Sequence, residues 1–162
     1  MIRERHAVSI PPSLLDRLLD DSPHNQIETT ASRFDLRLFK QGIARDMESL
    51  LNTRLGFDDE IFEHYPLARD SMIHFGILDI SAISLLDPDD RAYLRDKVRE
   101  AIERHEPRLA RVRVTLEVPR EQERQLHFRV DAVLSVHPNR PPITFDATLK
   151  LSSRAYQVRD QL

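Results

Sequence analysis

The chain has 162 residues, with 24 Lys and Arg against 27 Asp and Glu, so its net charge of -3 does not favour nucleic acid or an anionic membrane as a partner. It contains no cysteine, which excludes disulfides, thiolate metal ligands and a cysteine nucleophile. Apolar residues make up 40% and charged residues 31%, as in a globular domain, and no apolar run approaches the ~20 residues that span a bilayer. We therefore expect a cytoplasmic protein that does not insert into a membrane.

Residues 1–21 are predicted to form an N-terminal arm and a short docking helix. The arm is polar and ends in two prolines, and the following "SLLDRLLDD" begins with Ser13 as a helix cap. Its leucines recur on one helical stripe, which comprises Leu14, Leu15, Leu18 and Leu19. A helix this short is marginal in isolation. This leucine stripe is therefore a candidate surface for docking on another protein.

Residues 22–151 are predicted to form one domain that begins with helices. The first long helix, at about 33–55, has apolar residues at three- and four-residue spacing. These are Phe39, Ile43, Met47, Leu50 and Leu51. A second long helix begins after the N-cap Asp87 and ends near His105, because Pro107 cannot continue it. The connection between them is apolar enough to be ordered.

After the second helix, apolar residues recur at every second position, which is the period of strands. Three strands are predicted, at about 112–118, 126–136 and 143–151, each with one apolar and one polar face. The short links between them favour an antiparallel meander, whose apolar face the two long helices cover. The predicted fold class is therefore α+β, with an antiparallel sheet of about three strands. Residues 152–162 are predicted to be a polar C-terminal tail or a short helix.

No group of residues predicts catalysis, a metal or a cofactor. The acidic residues between positions 58 and 63 are typical of a solvated loop, the seven histidines show no metal-ligand spacing, and there is no serine-nucleophile motif or glycine-rich phosphate loop. A cluster of arginines surrounds the start of the first strand but lacks the interleaved aromatics of a nucleic-acid surface. The sequence therefore favours a binding or structural module over an enzyme.

The edges of the predicted sheet are its most suggestive feature. An edge strand can accept a strand from a partner. Charged residues on the first strand are equally consistent with protection of that edge, so both interpretations remain open.

The segment "RHEPRL" lies at the junction between the second helix and the first strand. Pro107 fixes the local backbone, so flanking charges lose little freedom when a partner binds them. Glu106 and Arg108 then have two possible roles. They form an exposed partner site, or they pair with each other and with groups at the helix end.

Four segments together resemble the TssE family of type VI secretion baseplate subunits. They are "PSLLDRLLDD", "DMESLLNTR", "YPLARDSMIHFGILDIS" and "IERHEPRLARVRVTL", in the family's order from about Pro12 to Leu151. This family is related to the phage T4 baseplate wedge protein that was once described as lysozyme-like. The segment "IHFGILD" departs from the usual "NYGLPD"-like form at His74, Phe75 and Leu78.

The resemblance implies a structural subunit of the baseplate wedge, in a baseplate docked at the inner membrane. Its implied partners are wedge proteins of the TssF and TssG type and subunits of the contractile sheath, with tail-tube or spike proteins as further candidates. The triplet Glu106, Pro107 and Arg108 is implied to serve sheath assembly rather than hydrolysis, which favours the exposed partner site. The family's sheet is implied to resemble the part of the sheath subunit that exchanges strands with its neighbours.

Two alternatives belong to other classes of function. A cell-wall hydrolase would use acidic residues such as Glu60, Glu63 or Glu106, but no signal peptide is recognisable that would carry it to such a substrate. A small regulatory adaptor would share the fold and bind one protein.

Overall fold

The computed structural model describes residue 18 and residues 36–57, 59–69, 71–79, 83–84, 87–117, 125–150, 153 and 155–160. The helical elements in these ranges are α1 (Leu36–Asn52), α2 (Asp59–His64), α3 (Pro66–Arg69), a 3-10 turn (Met72–His74) and α4 (Pro88–His105). The strands are β1 (Leu109–Leu116), β2 (Gln125–Leu134), β3 (Pro142–Lys150) and β4 (Ala155–Asp160). Within the described ranges, no helix is both long and apolar enough to cross a membrane.

Helix α1 packs through the apolar stripe that its sequence predicts. The buried members of the stripe are Ile43, Ala44, Met47, Leu50 and Leu51. Phe39 lies partly buried beside them. The helix lies against β4, and Lys40 Nζ is 2.6 Å from Asp160 Oδ1 at the far end of that strand.

Helix α4 begins and ends where local rules place it. The Asp87 carboxylate accepts a hydrogen bond from the Asp89 N–H at 2.9 Å, and Pro88 occupies the first turn. The helix ends at His105, two residues before Pro107. Its buried residues are Leu94, Val98, Ala101 and Ile102. This stripe packs the helix against β1.

The four strands form one antiparallel meander in the order β1-β2-β3-β4. The predicted α+β class is confirmed, but the sheet in the described residues has four strands rather than about three. The prediction of a polar tail or short helix for residues 152–162 is wrong for Ala155–Asp160, which form β4. In β4 only Tyr156 and Val158 are buried, so its apolar alternation is too short to stand out from the sequence.

A β-bulge interrupts β1 near its start. Ala110 pairs with Val133 and Arg113 pairs with Asp131, so two residues of β1 lie opposite one residue of β2. Arg111 in this bulge has a φ of 55°, which is uncommon for a residue with a side chain. The bulge extends β1 back to Leu109 while keeping the buried side chains on the core side.

Gly76 holds the connecting segment close to the C-terminal end of α1. Its φ is +122°, and a Cβ built on it would lie 2.5 Å from the Thr53 carbonyl oxygen. The Ile77 N–H donates to that same carbonyl at 3.0 Å, and the Leu55 N–H donates to the Ile77 carbonyl at 2.9 Å. This close approach needs glycine and anchors the C-terminal end of α1, where Asn52 contacts β4.

Side chains of α1 cover the outer edge of β4. Asn52 Oδ1 accepts a hydrogen bond from the Tyr156 N–H at 2.8 Å, and Asn52 Nδ2 donates to the Tyr156 carbonyl at 2.9 Å. One turn earlier, Glu48 Oε2 accepts from the Val158 N–H at 2.9 Å. An added strand would need these same backbone groups. We call Glu48 and Asn52, bound in this way, the β4 clasp.

Candidate protein interface

The candidate site is the corner between α4 and β1, which Glu106, Pro107 and Arg108 form. The Glu106 N–H donates to the Ile102 carbonyl at 2.8 Å and closes the last turn of α4. Glu106 itself has φ −120° and ψ 78°, outside the helical region, as expected for a residue that precedes proline. The Leu109 N–H donates to the Glu106 carbonyl at 3.1 Å where β1 begins. Local sequence rules thus account for the turn of the backbone.

Glu106 and Arg108 bind each other across the proline. Glu106 is only 4% exposed. Its Oε1 accepts from Arg108 Nε at 2.6 Å and from the Arg108 N–H at 3.2 Å, and its Oε2 accepts from Arg108 Nη2. A guanidinium fork binds a carboxylate most tightly in this bidentate geometry. Arg108 is therefore the partner that a buried Glu106 requires.

Asp46 of α1 is a third member of this ion-pair network. Arg108 Nη2 also donates to Asp46 Oδ2 at 2.7 Å, and the guanidinium carbon lies 5.7 Å from the centre of the Phe39 ring. Burial opposes the charge on Arg108, but the hydrogen bonds and charges of Glu106 and Asp46 outweigh it and raise the pKa of the guanidinium. Arg108 thus links the end of α4 to α1. We call Asp46, Glu106 and Arg108 the corner triad.

Ser135 fastens the corner to the hairpin between β2 and β3. Its N–H donates to the Arg108 carbonyl at 2.8 Å. Its Oγ lies 2.9 Å from both the Pro107 and the Arg108 carbonyl oxygens, as the donor to each. The corner is therefore held from three directions, by α4, α1 and the hairpin.

A histidine cluster supports the other side of the end of α4. His74 is buried, and its Nδ1 accepts from Arg104 Nη1 at 2.7 Å, since a guanidinium can only donate. His105 Nε2 donates to the His74 carbonyl at 3.0 Å. The His74 ring meets the Phe62 ring edge-on, with 4.3 Å between their centres. The connecting segment is thus packed against the last turn of α4.

The strand that leaves the corner is an outer strand of the sheet. The Glu117 N–H donates to the His127 carbonyl at 2.9 Å, so every second residue before it, back to Arg113, also bonds to β2. The backbone groups of Val114 and Leu116 consequently face the outer side of β1. Within the described part of the chain, no strand pairs with that side.

The structure corrects the expectation that Glu106 and Arg108 are both exposed. Glu106 is buried, and the side chain of Arg108 is 17% exposed. The two charges pair with each other, which was the second of the two roles that the sequence left open. Pro107 is exposed at the tip of the corner. Sequence reasoning missed Asp46, because nothing in its surroundings signals a contact with a residue 62 positions later.

The leucine stripe lies largely outside the described residues. Leu14, Leu15 and Leu19 are not among them, whereas Leu18 has helical backbone and is 74% exposed. The docking role of this stripe remains a prediction.

The acidic residues that a hydrolase would use do not form a facing pair. Glu60 and Glu63 are exposed on α2, and the carboxylate of Glu106 is taken up by Arg108. A retaining or inverting glycosidase needs two carboxyl groups that face each other across a cleft. The described residues also contain no cluster of three or more His, Asp or Glu side chains that could hold a metal ion.

The sequence model of the family described as baseplate wedge protein gp25 matches residues 38–139. The chain belongs to the gp25 baseplate wedge family. The match covers more than half of the chain and includes most of α1, together with α4, β1, β2 and the corner between α4 and β1. The resemblance noted from the four sequence segments is thereby confirmed. No curated protein matches the chain.

Membership of the gp25 family gives the chain a structural role in a baseplate, in contact with other baseplate components. In this gp25-family chain, the helix-to-strand corner is a buried ion-pair network with an exposed proline tip. An outer strand leaves directly from it.

Proposed function

We propose that this chain is a baseplate wedge subunit of a type VI secretion system that helps to assemble the baseplate and initiates polymerisation of the contractile sheath. One observation carries the proposal. In a gp25-family chain, a rigid corner leads into an outer strand that has no neighbouring strand in the described ranges. Such a strand can bind a strand of another protein through its backbone groups.

The corner serves this function by shape more than by charge. Because Glu106 holds Arg108 and Asp46 holds it from a second side, the exposed Pro107 has a fixed position. A partner that binds a preorganised surface loses less conformational entropy. The proposed partner site therefore consists of Pro107 and the exposed part of Arg108, with Glu106 as their support.

The N-terminal segment supplies a second contact. The proposed partners of Leu14, Leu15, Leu18 and Leu19 are wedge proteins of the TssF and TssG type, and the exposure of Leu18 supports this assignment. Tail-tube or spike proteins are further candidate neighbours. The proposed place of action is the cytoplasm, in a baseplate docked at the inner membrane.

The decisive experiment is imaging of fluorescently tagged sheath in cells. Cells that lack this chain should form no extended sheaths, and the wild-type chain should restore them. Arg108→Lys should restore few, because lysine keeps the charge but loses the bidentate fork. The matched control is Arg129→Lys on the exposed polar face of the sheet, which should restore sheaths fully.

Two outcomes of this imaging have different meanings. Dynamic sheaths in cells without the chain would reject the proposed function. Normal sheaths with Arg108→Lys would reject the proposed role of the corner but not the proposed function of the chain. A thermal melt of the purified variant shows whether a loss of sheaths comes from unfolding instead.

The docking role is tested by truncation and pull-down with the wedge partners. Removal of residues 1–21 should weaken capture, whereas removal of residues 1–12 should not, because the leucine stripe remains. Equal capture by both truncated chains would contradict the role of the leucines.

A further inference from the structure

A groove runs between residues 88–99 of α4 and the outer edge of β1. It has a volume of about 620 Å³ and is lined by Pro88, Arg91, Arg95 and Arg99 on the helix side and by residues 112–116 on the strand side. The chain reverses at the corner, so α4 and β1 run in opposite directions along the groove. Val114 and Leu116 face it with backbone N–H and C=O groups that do not bond to β2.

The opposite edge of the sheet is covered by side chains of α1. The β4 clasp already binds the outward N–H and C=O groups of Tyr156 and the N–H of Val158. A strand that adds to β4 would first have to displace both α1 side chains. Of the two outer strands, β1 is therefore the one that can accept a neighbour without rearrangement of α1.

The groove carries an excess of positive charge on a protein of net charge -3. Its charged lining residues are four arginines, including Arg113, and one aspartate, Asp96. Arg95 pairs with Asp96 at 3.0 Å and Arg99 pairs with Glu103 at 2.9 Å, but the four side chains are 37% to 45% exposed. Exposed pairs of this kind are worth at most about 1 kcal/mol, so a carboxylate of a partner can replace them at little cost.

The spacing of the arginines matches the repeat of an extended chain. Arg91, Arg95 and Arg99 stand four residues apart, so they recur about every 6 Å along α4. Alternate residues of a strand recur about every 6.7 Å and point to the same side. A strand laid along β1 would therefore present every second side chain to successive arginines.

We propose that the groove binds an extended segment of another protein that carries carboxylate side chains at alternate positions. Backbone hydrogen bonds to Val114 and Leu116 hold the segment, and the arginine row selects its charge pattern. The inference rests on the proposed function, because it names the chemistry of the strand that a sheath or wedge subunit would contribute.

The test uses the full chain and a synthetic peptide of about ten residues, near the upper end of strand lengths, in which Glu alternates with Val. A twin peptide with Lys in place of Glu is the charge control. Fluorescence anisotropy should show the Glu peptide binding at least about tenfold more tightly than its twin, with an affinity that falls as salt rises. On binding, hydrogen exchange should slow at the Val114 and Leu116 amides and stay unchanged at Tyr156 and Val158.

A pair of double variants tests the arginine row. Arg95→Gln with Arg99→Gln should weaken the Glu peptide about tenfold and flatten its salt dependence. The matched control, Arg129→Gln with Arg159→Gln, removes the same charge from the exposed polar face of the sheet and should leave binding unchanged. Leu116→Pro, which removes an outward N–H, should abolish the protection of Val114.

Several results would overturn the inference. These are equal binding of the two peptides, no binding of the Glu peptide, or protection at β4 instead of β1. Protection of Val114 and Leu116 in the free chain, lost on removal of residues 1–21 or on dilution of a dimer, would show that this chain itself fills the groove.

Normal sheaths with the Arg95 and Arg99 double variant would reject the inference while leaving the proposed function intact. Sheaths in cells without the chain would instead reject the function.

Discussion

The two outer strands of the sheet end in opposite ways. At β4, the side chains of Glu48 and Asn52 bind the outward backbone groups, as a neighbouring strand would. At β1, the outward groups of Val114 and Leu116 face a groove lined by arginines. Among the described residues, side chains of the neighbouring helix thus cover the outward groups of β4 and leave those of β1 without such hydrogen bonds.

The largest expected effect comes from breaking the corner triad, in which Arg108 links α4, the helix beside β1, to α1, the helix beside β4. Arg108→Ala should lower the free energy of unfolding by about 3 kcal/mol or more, because it leaves the buried Glu106 carboxylate without a partner. Urea denaturation measures the loss. Arg129→Ala is the control, because Arg129 is half exposed and lies 3.7 Å from Asp146, so its loss should stay below about 1 kcal/mol. Equal losses in the two variants would show that the corner triad does not support the fold.

Glu106 and Arg108 can also be tested in a double-variant cycle. If Glu106→Ala with Arg108→Ala costs less than Arg108→Ala alone, the penalty lies in the orphaned carboxylate rather than in lost packing. A fully additive result would contradict the direct coupling between the two side chains.

The second largest effect is expected at Gly76, which does not contact β4 itself but positions the end of α1 that covers the β4 edge. Gly76→Ala should cost about 2 kcal/mol, because a Cβ at a φ of +122° would press on the Thr53 carbonyl and shift the end of α1. Hydrogen exchange should then rise at Tyr156 more than at Val114. Gly56→Ala is the matched control, since nothing lies within 4 Å of its added Cβ. A Gly76→Ala protein as stable as the Gly56→Ala protein would contradict the close approach.

A smaller effect opens the β4 edge directly. Asn52→Ala should cost about 1 kcal/mol, because water can reach the freed backbone groups and replace part of the lost hydrogen bonds. The Tyr156 amide should exchange faster, so that β4 comes to resemble β1. Asn139→Ala, on the exposed loop after β2, serves as control. An unchanged rate at Tyr156 would show that Asn52 does not close the edge.

The smallest effect is expected from removing the Tyr156 hydroxyl in β4. Among the described residues, no group pairs with the buried Tyr156 hydroxyl, and burial raises its pKa. Tyr156→Phe should therefore be neutral or stabilise the fold by up to about 1 kcal/mol.

The pH dependence of stability gives the sign of this effect. Below about pH 10 the tyrosine is neutral in both states, but above it the unfolded chain ionises first, so stability falls as pH rises. Tyr156→Phe should flatten this alkaline decline, whereas Tyr93→Phe, at a site 47% exposed, should not. An identical decline in both variants would contradict the burial of the hydroxyl.

Much of the fold follows from local patterns. The stripe of α1, the cap at Asp87, the stop at Pro107 and the alternation in the first three strands all depend on neighbours in sequence. The fourth strand was missed because β4 has only two buried positions, and a polar segment that pairs with an existing sheet needs little apolar surface of its own.

The site was predicted less completely, because its decisive contacts join distant residues. Sequence reasoning chose Glu106 and Arg108 and left open whether they pair with each other, and the family resemblance favoured their exposure. It missed Asp46, because the contact with Arg108 crosses 62 positions. Asn52 likewise reads as an ordinary polar residue of a helix, although it binds the backbone of a strand 104 positions away. Periodicity predicts which face of an element is buried. It does not show which polar side chain of a distant element contacts that element.

The bulge in β1 sets a limit on what the groove can hold. Before it, Arg108 bonds to Ser135, so even-numbered residues bond to β2; after it, Glu117 bonds to His127 and odd-numbered residues do so. The outward hydrogen-bonding pattern therefore changes phase at Arg111. A guest strand in register with Val114 and Leu116 falls out of register there. If a partner strand adds to β1 as proposed, the bulge ends the added strand before it reaches the corner, so Pro107 stays accessible to a different contact.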